Sequence, residues 1–281
     1  METLCGLFGK RRQWYYASQQ SSISEHGRRK AILDTVDYYR SLMPHIGCVK
    51  LYHLLLEDLG RDIVHGRDSF LRLLSDAGYS LPRAKRRKTT DSKHIYKKYP
   101  NLIKHLVAQR VNQVWAADIT YVWILGDVLY LHLITDACSH AIIGWRLSYT
   151  LEAEGTIHAL EMAISTAGGG NLCGTIHHSD RGVQYASDAY VAALMSHHIR
   201  ISMTECYNPT ANAIAERVNG ILKVEWIYQS EVYKDYDDAL LNIGRSIHIY
   251  NTIRPHMSIG MRCPMAVYRG EAEGPNLWKK P

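Results

Sequence analysis

No stretch of the chain approaches the run of about 20 apolar residues that a bilayer span requires. The opening METLCGLFGKRRQ carries its charges after its apolar residues, the wrong order for a secretory leader. The six cysteines, at positions 5, 48, 138, 173, 206 and 263, include no CxxC pair. They read as reduced cytosolic thiols, which excludes a disulfide framework. There is no P-loop and no internal repeat, so nothing points to nucleotide hydrolysis or to a repeat array. What remains is the composition of a soluble globular protein: 281 residues, 46% hydrophobic, mean hydropathy −0.23. That length holds one large or two medium domains.

Charge of one sign is scarce in each half. Residues 1–117 carry 21 Lys+Arg against 10 Asp+Glu, a net +11, whereas the remainder carries 12 against 17, a net −5. A basic front half fits a grip on a polyanion, and an acidic back half fits metal binding. A basic front that only aids solubility is the plainer alternative.

One stretch organises the rest, Asn208 to Trp226, NPTANAIAERVNGILKVEW. Pro209 and Thr210 are helix-start residues. At 100° per residue, Asn212, Glu216, Asn219 and Lys223 share one face, and Ile214, Val218 and Ile221 share the opposite one. The spacing predicts an amphipathic helix with the isoleucine stripe inward. On its own, the Glu216 stripe is an ordinary solvated face. Two carboxylates upstream change that reading. Asp118 lies in VWAADITYVWIL, a run rich in Val, Ile, Tyr and Trp that predicts a buried strand. Asp180 follows a short apolar run ending at Ile176, and the ends of strands in α/β sheets are where sites collect. Thirty-five residues separate Asp180 from Glu216. Three such carboxylates suit a hard divalent cation, which takes oxygen ligands.

The order Asp118, Asp180, thirty-five residues, Glu216 resembles the DDE transposases and retroviral integrases. The blocks WAADITYV, HHSDRGVQYAS, NP…NAIAE…LKVEW and YNTIRPHMSIGMRCPMAVY, in that order, resemble the second-reading-frame transposases of bacterial insertion-sequence family 3. Lys223 matches a basic residue typical of that group, and LCGLFGKRRQWYY resembles its usual opening, so the likeness covers nearly the whole chain. Ala211-Asn212 departs from the family's frequent Asp-Asn. The usual first-frame segment, a helix-turn-helix followed by a leucine zipper, is absent, and the resemblance implies that it is encoded separately and joined by frameshifting.

In chain order, residues 1–27 predict a short helix and a flexible joint at SQQSS. Residues 28–82 predict three short helices, a helix-turn-helix-like domain whose flanking charges favour DNA contact over a plain packing bundle. His45, Cys48, His53 and His65 lack the spacing of the integrase His-His-Cys-Cys zinc motif. Residues 83–112 form a connector whose densest run, Arg83, Lys85, Arg86, Arg87 and Lys88, reads as a strap along DNA phosphates or as a solvated linker. Residues 113–270 predict three antiparallel strands, then helix, strand, helix, strand, helix. That is the order of an α/β RNase H-like core with a mixed sheet, in which the first and fourth strands are neighbours. A further amphipathic helix is expected within DYDDALLNIGRSIHIYNTIRPH, residues 235–256, and the tail from Arg262, with 271–281 beyond the core, is expected to be loosely ordered.

Phosphodiester transfer needs an activated oxygen and relief of charge at the leaving one. A pair of Mg2+ ions about 4 Å apart, or Mn2+ in their place, would supply both. The catalytic and metal-holding set is then Asp118, Asp180 and Glu216, with Asn212, Asn219 and Lys223 as DNA contacts beside the basic strap. The resemblance implies cutting and joining of element ends through a circular intermediate, on DNA, as a homo-oligomer, in the bacterial cytoplasm at the nucleoid. A nuclease that only cuts and a non-catalytic regulator that only binds ends are the competing classes.

Overall fold

The computed structural model describes residues 12–81, 99–104, 106–170, 172–204, 213–229 and 232–273. The chain divides into two compact units, Met1–Pro82 and Arg83–Pro281.

The first unit is helical: α1 (Arg12–Leu42), α2 (Cys48–Leu59), the single turn α3 (Arg61–Val64) and α4 (Arg67–Asp76). Ile32, Val36 and Tyr39 recur at helical spacing on α1, Met43 follows its last residue, and all four are buried, as are Leu51, Leu55, Phe70 and Leu74. The joint expected at residues 18–22 is not there, because α1 runs straight through it. Ser and Gln cost a helix only a few tenths of a kcal/mol each, so polarity there does not break the backbone.

The second unit holds one five-stranded sheet. Its strands are β1 (Val114–Ile124), β2 (Asp127–Asp136), β3 (Ile142–Ser148), β4 (Ile176–Ser179) and β5 (Arg200–Met203), in the order β3-β2-β1-β4-β5. β1, β2 and β3 are antiparallel; β4 and β5 run parallel to β1. This is the mixed sheet the sequence predicts, with β1 and β4 adjacent. Leu125 and Gly126 make the two-residue turn into β2, where Gly126 takes a positive φ of 81° that a side chain would resist.

One face of the sheet packs on α5 (Ala153–Thr166), α6 (Val183–Ala186) and α7 (Asp188–Ser196), burying Trp115, Ile134, Ile143, Leu160, Tyr190 and Leu194 in a common core. α5 lies so close to β3 that a Cβ on Gly144 would stand 2.1 Å from the Ala159 carbonyl oxygen. Only glycine permits that approach.

The chain then forms α8 (Ala213–Leu222), a π-helical turn over Lys223–Ile227, and α9 (Tyr236–Thr252). Asn251 pins α9 to β3 by bonding both the N–H (3.0 Å) and the carbonyl (2.9 Å) of Ile142. From Arg262 to Glu273 the tail is not loose, and residues 274–281 lie outside the described residues. Pro264 starts α10 (Pro264–Tyr268), and the Tyr268 hydroxyl donates to Asn112 at 2.8 Å.

Candidate active site

The register of β1 and β4 builds the centre of the site. Val114 pairs with Ile176 and Ala116 with His178; Asp118 stands two residues past Ala116 on β1, and Asp180 two past His178, directly after the end of β4 at Ser179. Neighbouring strands lie about 4.8 Å apart. Asp118 leaves β1 on the face of Val114 and Ala116, since successive residues of a strand alternate. Each carboxylate is held by its own loop or strand. Oδ1 of Asp118 accepts from the Ile119 N–H at 3.0 Å, and Oδ1 of Asp180 accepts from the Gly182 N–H at 2.9 Å. Gly182 has an ordinary φ of −63°, so its role is space. A Cβ there would meet Gln184 Oε1 at 2.7 Å and Asp180 Oδ1 at 3.0 Å.

Glu216 comes from the first turn of α8 and is exposed overall. The electrostatics tie it to the strand pair. Burial, then the charge of Asp180, with a smaller part from Glu216, pushes the Asp118 carboxyl up to about 7. Desolvation and the charge of Asp180 also raise Glu216. These are the signs expected of like charges facing one cleft.

The inward face of α8 differs from the expected one. Ala215, Val218, Asn219 and Leu222 are buried, while Ile214 and Ile221 are half-buried. The helix rests on the sector between the two predicted stripes. Ile214 still packs at the edge, against Ala108, Val114, Ala137 and Ile176. The rotation turns Asn219 from an outward position to one only 4% exposed, where its Nδ2 donates to Asp118 Oδ2 at 2.5 Å. Lys223, expected two turns and about 10.5 Å beyond Glu216 along the axis, is half-buried at the start of the π turn. Burial lowers the pKa of its ammonium, and the charge of Asp118 opposes that fall. A π turn is a common device for re-aiming side chains beside a site.

Sequence reasoning missed Tyr185. Its ring packs against His177 and Tyr190, and its phenol is raised well above the ordinary value by burial and then by Asp118 and Asp180. It also missed the bidentate pair between Arg254 and Glu225, although both residues lie inside the quoted blocks. Asn212, Arg83, Lys85, Arg86, Arg87 and Lys88 lie outside the described residues.

The donor set suits a hard cation: three carboxylates that repel one another without one, and a buried amide oxygen, Asn219 Oδ1, with no hydrogen-bond partner. Among the described residues, no three His, Cys, Asp or Glu side chains are gathered as a ready-made ion site. No described helix is long and apolar enough to cross a membrane.

Two family models, both described as Integrase core domain, match residues 108–209 and 197–264. The chain is 30% identical over 212 residues to the "Putative transposase for insertion sequence element IS986/IS6110" of Mycobacterium tuberculosis, covering 73% of this chain and 76% of that protein. It is 31% identical over 269 residues to the "Insertion element IS600 uncharacterized 31 kDa protein" of Shigella sonnei, covering 94% and 96%. Among solved structures, the simian T-cell lymphotropic virus intasome in complex with PP2A regulatory subunit B56 gamma contains a similar fold. It matches at a TM-score of 0.51 and 20% identity, covering 87% of this chain and 78% of that one. Fold and site thus define an integrase-core protein of RNase H-like architecture. Within that class the chain belongs to the insertion-sequence transposases, and it resembles the second-reading-frame proteins of family 3.

Proposed function

We propose that this transposase cuts and joins DNA strands at Asp118, Asp180 and Glu216. The observation that supports the reading best is the β1–β4 pairing: Asp118 stands two residues past Ala116, and Asp180 two residues past its partner His178. The elevation of the Asp118 and Glu216 carboxyls by burial and by the charge of Asp180 is what a cation-binding cleft would produce.

Asp118 and Asp180 would hold a divalent ion, Mg2+ or Mn2+, with Glu216 completing the set. Two ions is the number that an in-line displacement uses best. When bound, they would supply charge relief at the attacking and leaving oxygens. The chain's own part is to hold three carboxylates in one cleft and to keep the DNA in register with them. In the first cut a water oxygen bonds to phosphorus, the bond from phosphorus to the 3′ oxygen breaks, and that oxygen leaves as a 3′-hydroxyl. In joining, this hydroxyl attacks a second phosphorus and another 3′ oxygen leaves, so one phosphodiester replaces another. Joining beside the other element end on the same strand yields a circle.

On this reading Lys223 and Asn212 contact DNA near the scissile bond, and Arg83, Lys85, Arg86, Arg87 and Lys88 track phosphates. The helical unit 28–82 acts as a helix-turn-helix-like DNA module. The protein works as a homo-oligomer on element ends and target, with a first-frame segment as partner or fusion, in the cytoplasm at the nucleoid.

The test is Glu216→Gln on labelled element ends with Mg2+. The expected result is a loss of cutting and joining on the order of a thousandfold with DNA affinity kept. A Gln variant that joins ends at the wild-type rate removes Glu216 from the site. Wild-type protein that cuts without joining is a nuclease. Wild-type protein that only shifts the DNA is a regulator.

A further inference from the structure

The geometry points to Asn219 as a positioning residue for Asp118, holding the carboxylate from α8 and presenting a second, unused oxygen to the same cleft. Four observations carry this. Asn219 is 4% exposed, so it is closed off from a DNA surface. Its Nδ2 reaches Asp118 Oδ2 at 2.5 Å across 101 positions of chain. The other Asp118 oxygen is engaged by the Ile119 N–H, so these two donors together fix the rotation of the carboxylate. Finally, Asn219 Oδ1 is buried without a hydrogen-bond partner, which is costly unless a donor fills it when the site is in use.

An amide is suited to this place. A carboxylate at 219 would add a fourth negative charge beside Asp118, and a hydrocarbon would leave Oδ2 without its donor. Asn219 also stands three residues after Glu216, nearly one helical turn, so one rigid element carries both a site carboxylate and the brace for another. The orphan oxygen fits a hydrogen from water held by the cation, the usual partner of a group lying just behind metal ligands. The inference rests on the reading that Asp118 holds a divalent cation.

The test measures binding of Mn2+ alone to the full chain by electron paramagnetic resonance, without DNA. Variants are Asn219→Ala and Asn219→Val, the second leaving no cavity should the first unfold. Asp118→Asn and Asp180→Asn are controls for the metal reading. Affinity for Mn2+ should fall about 10- to 100-fold in the Asn219 variants. DNA affinity measured without metal should stay within about twofold, and end joining should recover at saturating Mn2+, as expected of positioning. Unchanged Mn2+ affinity in a folded Asn219 variant, with loss in both controls, overturns the role of Asn219 alone. Weakened DNA binding with unchanged Mn2+ affinity makes Asn219 a DNA contact and overturns it too. Controls that bind Mn2+ as wild type does overturn the metal reading itself.

Discussion

Arg254 grips Glu225 with two arms, Nε to Oε2 at 2.7 Å and Nη2 to Oε1 at 2.6 Å, and both residues are buried, at 2% and 7% exposure. Tyr250 lies under the guanidinium at 5.6 Å. The pair ties the π turn that follows α8 to the end of α9, and so fixes how α8 meets the sheet. Buried pairs are weak evidence for net stability, but removing one partner strands the other in a low dielectric.

Glu225→Gln is therefore expected to destabilise the protein by roughly 3–5 kcal/mol. Replacing both residues together, Glu225→Leu with Arg254→Met, is expected to recover most of that loss. Urea unfolding of the three variants decides. A single variant as stable as wild type would show that the pair bears no strain on removal.

Asp118→Asn removes a charge that the metal-free protein holds at a cost, as the rise of its carboxyl to about 7 implies. The variant is expected to be more stable than wild type by about 1–2 kcal/mol without divalent ions, and inactive in end joining. Calorimetric melting in chelator checks the first part. A lower melting temperature would mean that the carboxylate is a structural group.

Gly182→Ala places a methyl between Gln184 and Asp180, at 2.7 and 3.0 Å. The backbone there suits any residue, so the melting temperature should move little. End joining should fall by roughly 10- to 100-fold as Asp180 is displaced. Equal activity of the two proteins would mean that the loop yields without moving the carboxylate.

Three buried imidazoles set the acid limit. Burial pushes His132 and His140 down to about 4 and His177 to about 3. His140 lies stacked on His256 at 4.6 Å and feels the charge of Arg217. Above pH 6.5 all three are neutral in both states. Below it the unfolded chain takes up protons first, so stability falls from pH 6.5 down to about 4, and to about 3 for His177. Asp118, raised to about 7, acts the opposite way. The measurement therefore uses the Asp118→Asn background, unfolded in urea at pH 7.5 and pH 5. The expected loss is up to roughly 2 kcal/mol per imidazole. Equal stability at the two pH values would contradict the neutral burial of these rings.

Replacing Arg86, Arg87 and Lys88 by Ala tests the strap. Affinity for any DNA sequence should drop alike, and the slope of log K against log salt should become shallower by roughly 2 to 3. An unchanged slope and affinity would leave the run a linker.

The sequence by itself determined the fold class, because the five strands and the longer helices of the core were announced by their own period and turn residues, though the short α6 and α10 were not. It singled out Asp118, Asp180 and Glu216 as the proposed set, because their order and the 35-residue gap lie along the chain. Tertiary structure decided what periodicity leaves open. The phase of α8 was not legible, because a helix with an apolar stripe on one side and a polar one on the other can rest on the sector between them. The sheet's need to satisfy Asp118 draws Asn219 inward there. The continuity of α1 through 18–22 was hidden by polar residues that tolerate a helix as readily as a loop. The docking of Tyr268 on Asn112 and the Arg254–Glu225 clamp join residues 156 and 29 positions apart. No local pattern records such pairs, because burial alone decides when a polar side chain must find its partner.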